Sequence, residues 1–409
     1  MKKTILVAVL AWTMGSMAMM AEQRQVTSPD GMLKVTIDDN GGRPTYQVMY
    51  QDVQVVEPSA LGLRLNMDDL TQGLKLTDCT VSKVTDTYDL KTTKQSHVVY
   101  EATEGVCQFQ KDGLRVMDVV VRVSNRDVAF CYRVLPRRNT LVAVVEEEAT
   151  EFRLPQQGTT TFLCPQSRPM GGFARTAPSY ETSYSLDEAT GKNGWGEGYT
   201  FPCLFKESVS TSATKDKKGK GQKGASDVWV LISETGTDGG YVGCRLLNAG
   251  GSAYRIGFPQ PGEMNGVGST GASVALPCET PWRTITVGAT LANVVETTVP
   301  WDVVRPKYKA SRDYTYGKGT WSWIIGMDSS CNFDEQKRYI DFAAAMGYRS
   351  VLIDALWDVQ IGYDRMAELA RYGRTKGVGI FLWYNSNGSW NDAPQSPKNK
   401  MDRSAPRRK

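Results

Sequence analysis

The sequence predicts a two-part fold class, an antiparallel β-sandwich at residues 22–300 followed by the first part of a parallel (β/α)8 barrel at residues 318–409. Three observations predict it. Short alternating runs bounded by turn residues fill the first part, and the pattern changes after Pro300. Beyond a connector at residues 301–317, strand-like and helix-like segments alternate, which is the repeating unit of a parallel α/β fold.

Residues 1–21 have the composition of a cleaved export signal. Two lysines precede an apolar stretch from Ile5 to Trp12, and small residues follow up to Ala21. The stretch is shorter than the roughly 20 apolar residues that a membrane-spanning helix needs. We therefore expect a mature chain that is periplasmic or secreted and not inserted in a membrane.

The region from Val26 to Val299 carries the strand signals of the sandwich. No long amphipathic helix pattern interrupts it, and turn residues separate the runs. Many short strands over such a length are typical of a large antiparallel sandwich. The clearest strand patterns are Met32–Ile37, Tyr46–Tyr50, Val119–Val123 and Val228–Ile232.

The last quarter of the chain predicts three strands and two helices. Apolar positions would face the core at Tyr339, Phe342, Ala343 and Met346 of the first helix, and at Met366, Leu369 and Ala370 of the second. The strands are apolar throughout, as burial on both faces of a parallel sheet requires. In order, the elements are strand Thr320–Ile325, helix Phe333–Met346, strand Ser350–Asp354, helix Tyr363–Lys376 and strand Val378–Tyr384.

Three strands do not close a barrel, and the sequence then ends in what resembles the start of a third helix. A parallel sheet of three strands would expose a long unpaired edge, which folded proteins generally avoid. The sequence therefore predicts a truncated chain.

Composition excludes several function classes. His97 is the only histidine and lies in a strand-like stretch, so serine or cysteine triads and multi-histidine metal sites are not expected. Acid and base chemistry would fall to carboxylates. The net charge is only +4, and the basic run Lys215–Lys223 lacks aromatic residues, so we expect a solvated loop and no nucleic-acid partner. The eight cysteines lack C-x-x-C spacing; some could pair, but buried thiols are the commoner outcome.

Three predicted loops at the carboxyl ends of the barrel strands are candidates for a functional site, because parallel barrels place such groups there. Tryptophan faces stack on the apolar faces of sugar rings, and Asp and Asn side chains hydrogen-bond to hydroxyls. The mixture therefore favours a carbohydrate cleft. The candidates are Asp328 in the first loop, Asp354, Trp357 and Asp358 in the second, and Asn385, Asn387, Trp390, Asn391 and Asp392 in the third.

Each candidate has a structural alternative. Trp321 and Trp323 suit a core and a cleft equally, whereas the polar surroundings of Trp390 favour the cleft. Asp354 could instead cap the next helix or pair with an arginine such as Arg371. Asp392 could serve only as an N-cap or turn residue.

Two loops of the sandwich alternate aromatic residues with carboxylates beside glycines. They are Pro178–Tyr184 and Gly194–Tyr199, and the second contains Trp195, Gly196 and Glu197. This composition favours a surface that meets a sugar or a hard cation, although alternating Tyr and Thr is also ordinary strand composition.

The sequence resembles glycoside hydrolase family 97, the exported α-glucosidases and α-galactosidases of Bacteroides-like bacteria. The motifs that carry the resemblance lie in the last quarter, and a looser likeness covers the mature chain, because the family also begins with a β-sandwich. The motifs are Thr320–Trp323, Tyr339–Gly347, Val351–Asp354, Trp383–Gly388 and Trp390–Pro394.

The resemblance implies calcium-assisted hydrolysis of α-glycosides in oligosaccharides. The family holds calcium with carboxylates that come mostly from the barrel and one from the sandwich, and Glu181 resembles that sandwich ligand. The family also has positions that contact substrate, and Trp195–Glu197 and Trp323 resemble them. With these, Asp354, Trp357, Asn385, Asn387, Trp390 and Asp392 complete the predicted substrate-binding set.

The third strand distinguishes the two mechanisms of the family. Inverting members carry a glutamate base after it, whereas Asn385–Asn387 is similar to the retaining subgroup. Retaining members use an aspartate nucleophile after the fourth strand and a later glutamate as acid and base. The resemblance therefore places the catalytic pair beyond Lys409 and implies that this chain is an inactive fragment, from an incomplete gene, a premature stop or a frameshift.

Two hypotheses of different classes remain. The first is a fragment of a retaining α-galactosidase or α-glucosidase, and the second is a non-catalytic carbohydrate-binding β-sandwich that meets sugars through Trp195 and Glu197. Continuing coding sequence would distinguish them. The choice between glucose and galactose, and between monomer and dimer, stays open.

Overall fold

A computed structural model describes residues 22–166, 183–192, 198–210, 225–261, 269–384 and 396–397. The predicted leader, the basic run Lys215–Lys223 and the last twelve residues lie outside this part of the chain. No helix in the described ranges is long and apolar enough to cross a bilayer.

Antiparallel strands make up most of the described chain before residue 290, and 17 of them join in one hydrogen-bonded network. Along the first half they are β1 (Gln23–Thr27), β2 (Leu33–Asp38), β3 (Thr45–Tyr50), β4 (Val53–Ala60), β5 (Leu63–Leu65), β6 (Asp68–Leu70), β7 (Lys75–Asp89), β8 (His97–Lys111), β9 (Leu114–Ser124) and β10 (Asp127–Val134). The second half contains β11 (Val142–Glu148), β12 (Glu151–Arg153), β13 (Thr159–Pro165), β14 (Glu188–Ala189), β15 (Tyr199–Ser210), β16 (Ala225–Thr235), β17 (Arg245–Gly250), β18 (Ala253–Gly257), β19 (Ala272–Ala275), β20 (Cys278–Glu279) and β21 (Trp282–Gly288).

Alternation of apolar and polar residues fixes which side of each strand is buried. In β2, Leu33, Val35 and Ile37 are at most 1% exposed, while the residues between them are partly exposed. A one-residue shift of register would move this apolar set to solvent. The strand pattern predicted for Met32–Ile37 is confirmed with a shift of one residue, and the other three predicted strands lie within β3, β9 and β16.

The long hairpin of β7 and β8 carries the one disulfide found among the described cysteines, between Cys79 and Cys107. These two residues are direct partners in the antiparallel register. Four of the other six cysteines are buried. The expectation that most cysteines are buried thiols is confirmed for those four.

A buried ion cluster links three strands of the sandwich. Arg283 of β21 and Glu148 of β11 are both inaccessible to solvent, and two guanidinium nitrogens donate to the two Glu148 carboxylate oxygens at 2.8 and 2.6 Å. A third nitrogen donates to Glu234 of β16. Thr150 and Tyr241 also donate to Glu148, at 2.8 and 3.5 Å. Every charge in this cluster therefore has a partner.

Glu207 of β15 is a buried acid of a different kind. It is 2% exposed, and neither carboxylate oxygen has a hydrogen-bond partner among the described residues. Burial, together with the nearby Glu57 carboxylate, raises the pKa of Glu207 well above its usual value. Burying an ionised carboxylate without a partner is costly, so the folded protein favours the protonated acid.

We expect Glu207→Met to stabilise the sandwich increasingly as the pH rises. The pKa of Glu207 is raised in the folded state. Its contribution to the free energy of unfolding is therefore fully present below the unfolded pKa of about 4.3 and is lost as the pH rises through the folded pKa. Urea unfolding at pH 5 and pH 8 should show an advantage for the variant of about 1–3 kcal/mol at the higher pH. Glu146→Met, at an exposed glutamate, is the control. Parallel pH profiles for wild type and Glu207→Met would contradict this assignment.

The chain after residue 290 forms short helices and a parallel sheet. The three strands pair in the order β22–β23–β24, both pairs parallel, with the helices in the connections. The elements are α1 (Leu291–Val295), α2 (Val299–Val303), β22 (Gly319–Trp321), α3 (Trp323–Gly326), α4 (Phe333–Ala345), β23 (Ser350–Ile353), α5 (Trp357–Gln360), α6 (Tyr363–Thr375) and β24 (Gly379–Leu382), with a 3-10 turn at Met327–Ser330. The predicted strand–helix alternation is confirmed, whereas closure into a barrel stays a prediction.

Helices α4 and α6 end where the sequence predicts, for an identifiable reason. Gly347 and Gly377 follow them with φ of 67° and 74°, a conformation that glycine adopts without strain. The amides of Tyr348 and Val378 then donate back to carbonyls of the last turn, both at 2.8 Å. This is the helix-ending pattern with a left-handed glycine. At the other end of α4, Asn332 caps the helix by accepting from the Glu335 amide at 3.0 Å.

Some details of the parallel part differ from the prediction. The strand predicted over Thr320–Ile325 ends at Trp321, because the chain turns into α3 and leaves Ile324 and Ile325 66% and 83% exposed. On α4 the buried residues are Gln336, Ile340 and Ala343, whereas Phe342 and Met346 are about half exposed. The predicted face of this helix is therefore confirmed at Ala343 and at Tyr339, which is partly buried against the same core, and is wrong at Phe342 and Met346.

The prediction of strands buried on both faces is also wrong for β22 and β24. They are the edge strands of the sheet, and residues on one side of each are exposed, including Phe381 at 63%. Only β23, which lies between them, has no exposed residue. On α6 the prediction holds for Met366 and Leu369, which are buried, while Ala370 is partly exposed.

Candidate functional site

The carboxyl ends of the three parallel strands lie at one edge of the sheet and bring aromatic and acidic side chains together. Trp321 is the last residue of β22, and Trp323 begins α3 just after it. Asp354 follows β23 directly. The sequence predicted this placement for Asp354 from the position of the strand end, whereas it placed Trp321 and Trp323 within the first strand.

The two tryptophans form a stacked pair. Their ring centroids are 5.8 Å apart and the ring planes differ by 16°. Trp321 is 37% exposed and Trp323 is partly exposed. Neither ring is buried among the described residues, so both keep accessible aromatic surface.

Each tryptophan is held by a carboxylate. The Trp321 indole Nε1 donates to Asp354 Oδ2 at 2.7 Å, and the Trp323 Nε1 donates to Asp328 Oδ1 at 2.9 Å. Asp354 is 9% exposed, and its Oδ1 accepts from the Ala355 amide at 2.6 Å. Asp354 therefore neither caps a helix nor pairs with Arg371, the two alternatives considered from sequence. It orients one ring of the pair.

Trp357 is an exception to the predicted substrate-binding set. It is fully buried, and its Nε1 donates to the Trp383 carbonyl at 2.9 Å. Its ring packs edge-on against Tyr363 and Tyr384. The ring has no accessible face for a sugar, so the structure corrects this prediction to a core role.

A short network behind the tryptophan pair fixes the loop after β22. Gln336 of α4 is fully buried and donates from Nε2 to Ser322 Oγ at 2.8 Å and to the Ser330 carbonyl at 2.7 Å. Ser322 and Ser330 share a hydrogen bond of 2.8 Å. The sequence did not indicate a role for Gln336. The signal that it offered was a polar residue one turn before Ile340, on the inner face of the helix.

Asp358, the third acidic candidate, is already engaged. Ser396 Oγ lies 2.6 and 2.7 Å from its two carboxylate oxygens. Leu356, the residue before α5, has a φ of 68°, and its amide donates to the Ser396 carbonyl. The loop after β23 is thus tied to the segment near residue 396.

The remaining predicted site residues lie outside the described part of the chain. They are Glu181, Trp195, Gly196, Glu197, Asn385, Asn387, Trp390, Asn391 and Asp392. Among the described side chains, no group of three His, Cys, Asp or Glu residues is placed to hold a metal ion.

Removing the hydrogen bond to Asp354 should weaken the fold measurably. Trp321→Phe keeps an aromatic ring beside Trp323 but leaves Asp354 Oδ2 without its donor. We expect the free energy of unfolding to fall by about 1.5–3 kcal/mol, the usual range for a hydrogen bond to a charged group. The matched control is Trp323→Phe, whose partner Asp328 is exposed. Equal losses in urea unfolding would contradict a special role of the Trp321–Asp354 pair.

Comparison with known proteins decides the family. A model of the glycosyl-hydrolase 97 N-terminal domain matches residues 26–306, more than half of the chain, and a glycoside hydrolase 97 model matches residues 313–404. The chain belongs to glycoside hydrolase family 97. The resemblance found from the sequence motifs is confirmed.

Individual relatives of this family 97 chain include glycosidases. A protein of Streptomyces bingchenggensis described as a "Probable retaining alpha-galactosidase" is 30% identical over 365 residues, which are 86% of this chain and 50% of that protein. The crystal structure of a β-arabinopyranosidase is 45% identical with a TM-score of 0.84, covering 94% of this chain and 59% of its own.

A family 97 enzyme of Pseudoalteromonas sp. strain K8, solved with panose, is 21% identical with a TM-score of 0.68, covering 87% of this chain and 53% of its own. At this identity the likeness shows the shared fold. The chain spans about half the length of the curated relatives it matches.

Proposed function

We propose that this family 97 protein acts in the hydrolysis of glycosides of galacto configuration, α-galactosides or β-L-arabinopyranosides, by the retaining mechanism. The observation that carries the proposal is the likeness, at 45% identity over 94% of the chain, to the structure of a β-arabinopyranosidase. Two matched curated proteins named as retaining α-galactosidases support the same class.

The two substrate classes are chemically close. A β-L-arabinopyranoside has the ring configuration of an α-D-galactopyranoside and lacks only the hydroxymethyl group. A pocket that fits the common ring hydroxyls would accept both, and the space around the hydroxymethyl group would set the preference. The α-glucoside alternative differs by one inverted hydroxyl. A site built to hydrogen-bond the axial hydroxyl discriminates against that difference.

The Trp321–Trp323 pair supplies the sugar-binding part of the proposal. Its exposed indole surface, at the carboxyl edge of the parallel sheet, suits the apolar face of a pyranose ring. Asp354 holds one ring in place through Nε1. In this proposal Trp323 contacts substrate, and Asp354 and Gln336 are positioning residues.

No catalytic carboxylate is assigned within residues 1–409. A retaining glycosidase needs two carboxyl groups about 5–5.5 Å apart, whereas Asp354 and Asp358 are each committed to hydrogen bonds within the protein. We therefore propose that the 409-residue chain by itself binds sugar without turnover. Hydrolysis of nitrophenyl α-galactoside by this chain, with or without calcium, would contradict the proposal that it binds sugar without turnover.

Calcium belongs to the proposal through Glu181, which resembles the sandwich ligand of the family and lies outside the described residues. The described carboxylates do not assemble a calcium site, so no step is assigned to the ion. If Glu181 is a ligand, calcium should raise the unfolding temperature of the wild type and not that of Glu181→Gln. An identical calcium effect on both proteins would remove Glu181 from the site.

Export is proposed as well, with residues 1–21 as the cleaved signal. The Cys79–Cys107 disulfide supports it, because such bonds form and persist in oxidising compartments. Mass spectrometry of the periplasmic protein would test both points. A mature amino terminus near Glu22 is expected, and a cytoplasmic protein that retains Met1 would contradict the proposal.

A further inference from the structure

A cavity lies in the sandwich, away from the tryptophan pair. It has a volume of about 300 Å³ and lies where strand β8, the turn between β9 and β10, and the segment from α1 to α2 meet. This volume is at the lower end of the range for small-molecule sites. Its lining includes Val98, Tyr100, Glu101, Asn125, Arg126 and Asp302.

The base of this cavity is a fixed polar floor. Asp127 is 3% exposed, and its Oδ1 accepts from Thr286 and Thr297 at 2.5 and 2.8 Å. Asp302 of α2 accepts from the Tyr88 hydroxyl at 2.5 Å and from Thr298 at 3.0 Å. These bonds join four chain segments, β7, β10, β21 and residues 297–302, so the floor is preorganised.

The rim holds hydrogen-bonding groups that the protein does not use. Asn125 accepts through Oδ1 from the Asp30 amide, and its amide nitrogen has no partner among the described residues. Arg126 donates only from Nε, to Asp127 at 3.3 Å, which leaves its terminal nitrogens free within the described structure. The exposed carboxylate of Glu101 likewise has no ion pair there. Donors and acceptors therefore both face the opening.

Val99 supplies the opposite character. It is 65% exposed and gives the cavity an apolar wall, whereas its neighbours Val98 and Tyr100 in the lining are at most 6% exposed. A wall of this kind beside unused donors and acceptors matches a ligand with one apolar face and an edge of hydroxyl groups. The lining contains three acidic side chains and one arginine, so its charge disfavours binding of an anion. The positive charge of Arg126 disfavours binding of a bare cation.

We propose that this cavity is an accessory binding site for a neutral polyhydroxylated ligand of the size of one monosaccharide. Glu101 accepts from ligand hydroxyls, and Asn125 and Arg126 donate to them. Asp302 shapes the floor, and Val99 contacts the apolar face. The site is independent of the tryptophan pair and does not depend on the hydrolysis proposed above.

Hydrogen exchange of the 409-residue chain with and without millimolar D-galactose tests the proposal. We expect ligand-dependent protection of residues 97–101, 124–127 and 293–302. The double variant Glu101→Ala/Asn125→Ala removes two exposed groups and spares the buried floor. It should weaken the apparent affinity by about tenfold or more, equivalent to roughly 1.4 kcal/mol. Glu368→Ala, at an exposed glutamate of α6, should bind as wild type.

The outcomes separate this site from the tryptophan pair. Protection of the three segments that persists in Trp323→Ala and is lost in the double variant supports an accessory site. Protection confined to residues 319–330 and 350–358, or no protection in any segment, overturns it. Equal loss in Glu368→Ala and the double variant would also contradict a specific contact.

Discussion

Arg283→Met should destabilise the sandwich by about 3–5 kcal/mol, because it leaves the Glu148 carboxylate buried without its counter-ion. Burial lowers the pKa of Arg283, but the facing Glu148 carboxylate more than offsets this and holds that pKa well above its usual value. The guanidinium is therefore charged in the folded protein. The free energy of unfolding in urea measures the loss.

Two further variants make this prediction specific. Arg283→Met/Glu148→Leu removes the fully buried pair and should recover part of the lost stability, because apolar residues of similar volume often replace buried ion pairs at little cost. Glu234 then loses Arg283 but keeps the Cys244 amide as a donor at 3.0 Å. Arg255→Met breaks an exposed pair with Glu147 and should cost about 0–1 kcal/mol. Equal losses for Arg283→Met and Arg255→Met would contradict the account of the cluster. If Arg283→Met failed to fold while Arg283→Met/Glu148→Leu folded, the result would support the account of the cluster.

Trp323→Ala should lower kcat/KM on an aryl α-galactoside by about 10–100-fold in protein expressed from the full reading frame, since it removes one of the two stacked rings. The variant should mainly raise KM and change kcat little, because stacking holds the sugar ring equally in the ground state and the transition state. Steady-state kinetics give both values.

Two controls accompany this variant. Trp323→Phe keeps an aromatic face and should recover most of the activity. Trp301→Ala removes an exposed tryptophan of α2 outside the candidate site and should have no effect. If Trp301→Ala and Trp323→Ala lowered kcat/KM equally, the tryptophan pair would not be the sugar-binding surface.

Local sequence patterns predicted the strands and helix ends well, because their causes are local. Alternating side chains fixed β2, and Gly347 and Gly377 ended the helices at the expected points. The Arg283–Glu148 cluster could not be predicted in the same way. Its members are 135 residues apart, and nothing in either local pattern shows that they meet.

The errors near the site have a common physical origin. Ile324 and Ile325 continue an apolar run, yet the chain turns into α3 so that Trp323 Nε1 reaches Asp328. Trp357 lies in a predicted functional loop, but a partner for its indole nitrogen at the Trp383 carbonyl allows full burial. Both positions include a hydrogen bond from an indole nitrogen, which the pattern of apolar residues does not reveal.

We propose above that this family 97 protein acts on glycosides of galacto configuration. The most direct test of this proposal is hydrolysis of nitrophenyl α-galactoside, β-L-arabinopyranoside and α-glucoside by protein expressed from the full reading frame, with and without a calcium chelator. We expect turnover of one or both galacto-configured substrates at a kcat/KM far above that for the α-glucoside. Preferential turnover of the α-glucoside, or no turnover of any substrate by a folded protein in the presence of calcium, would contradict it.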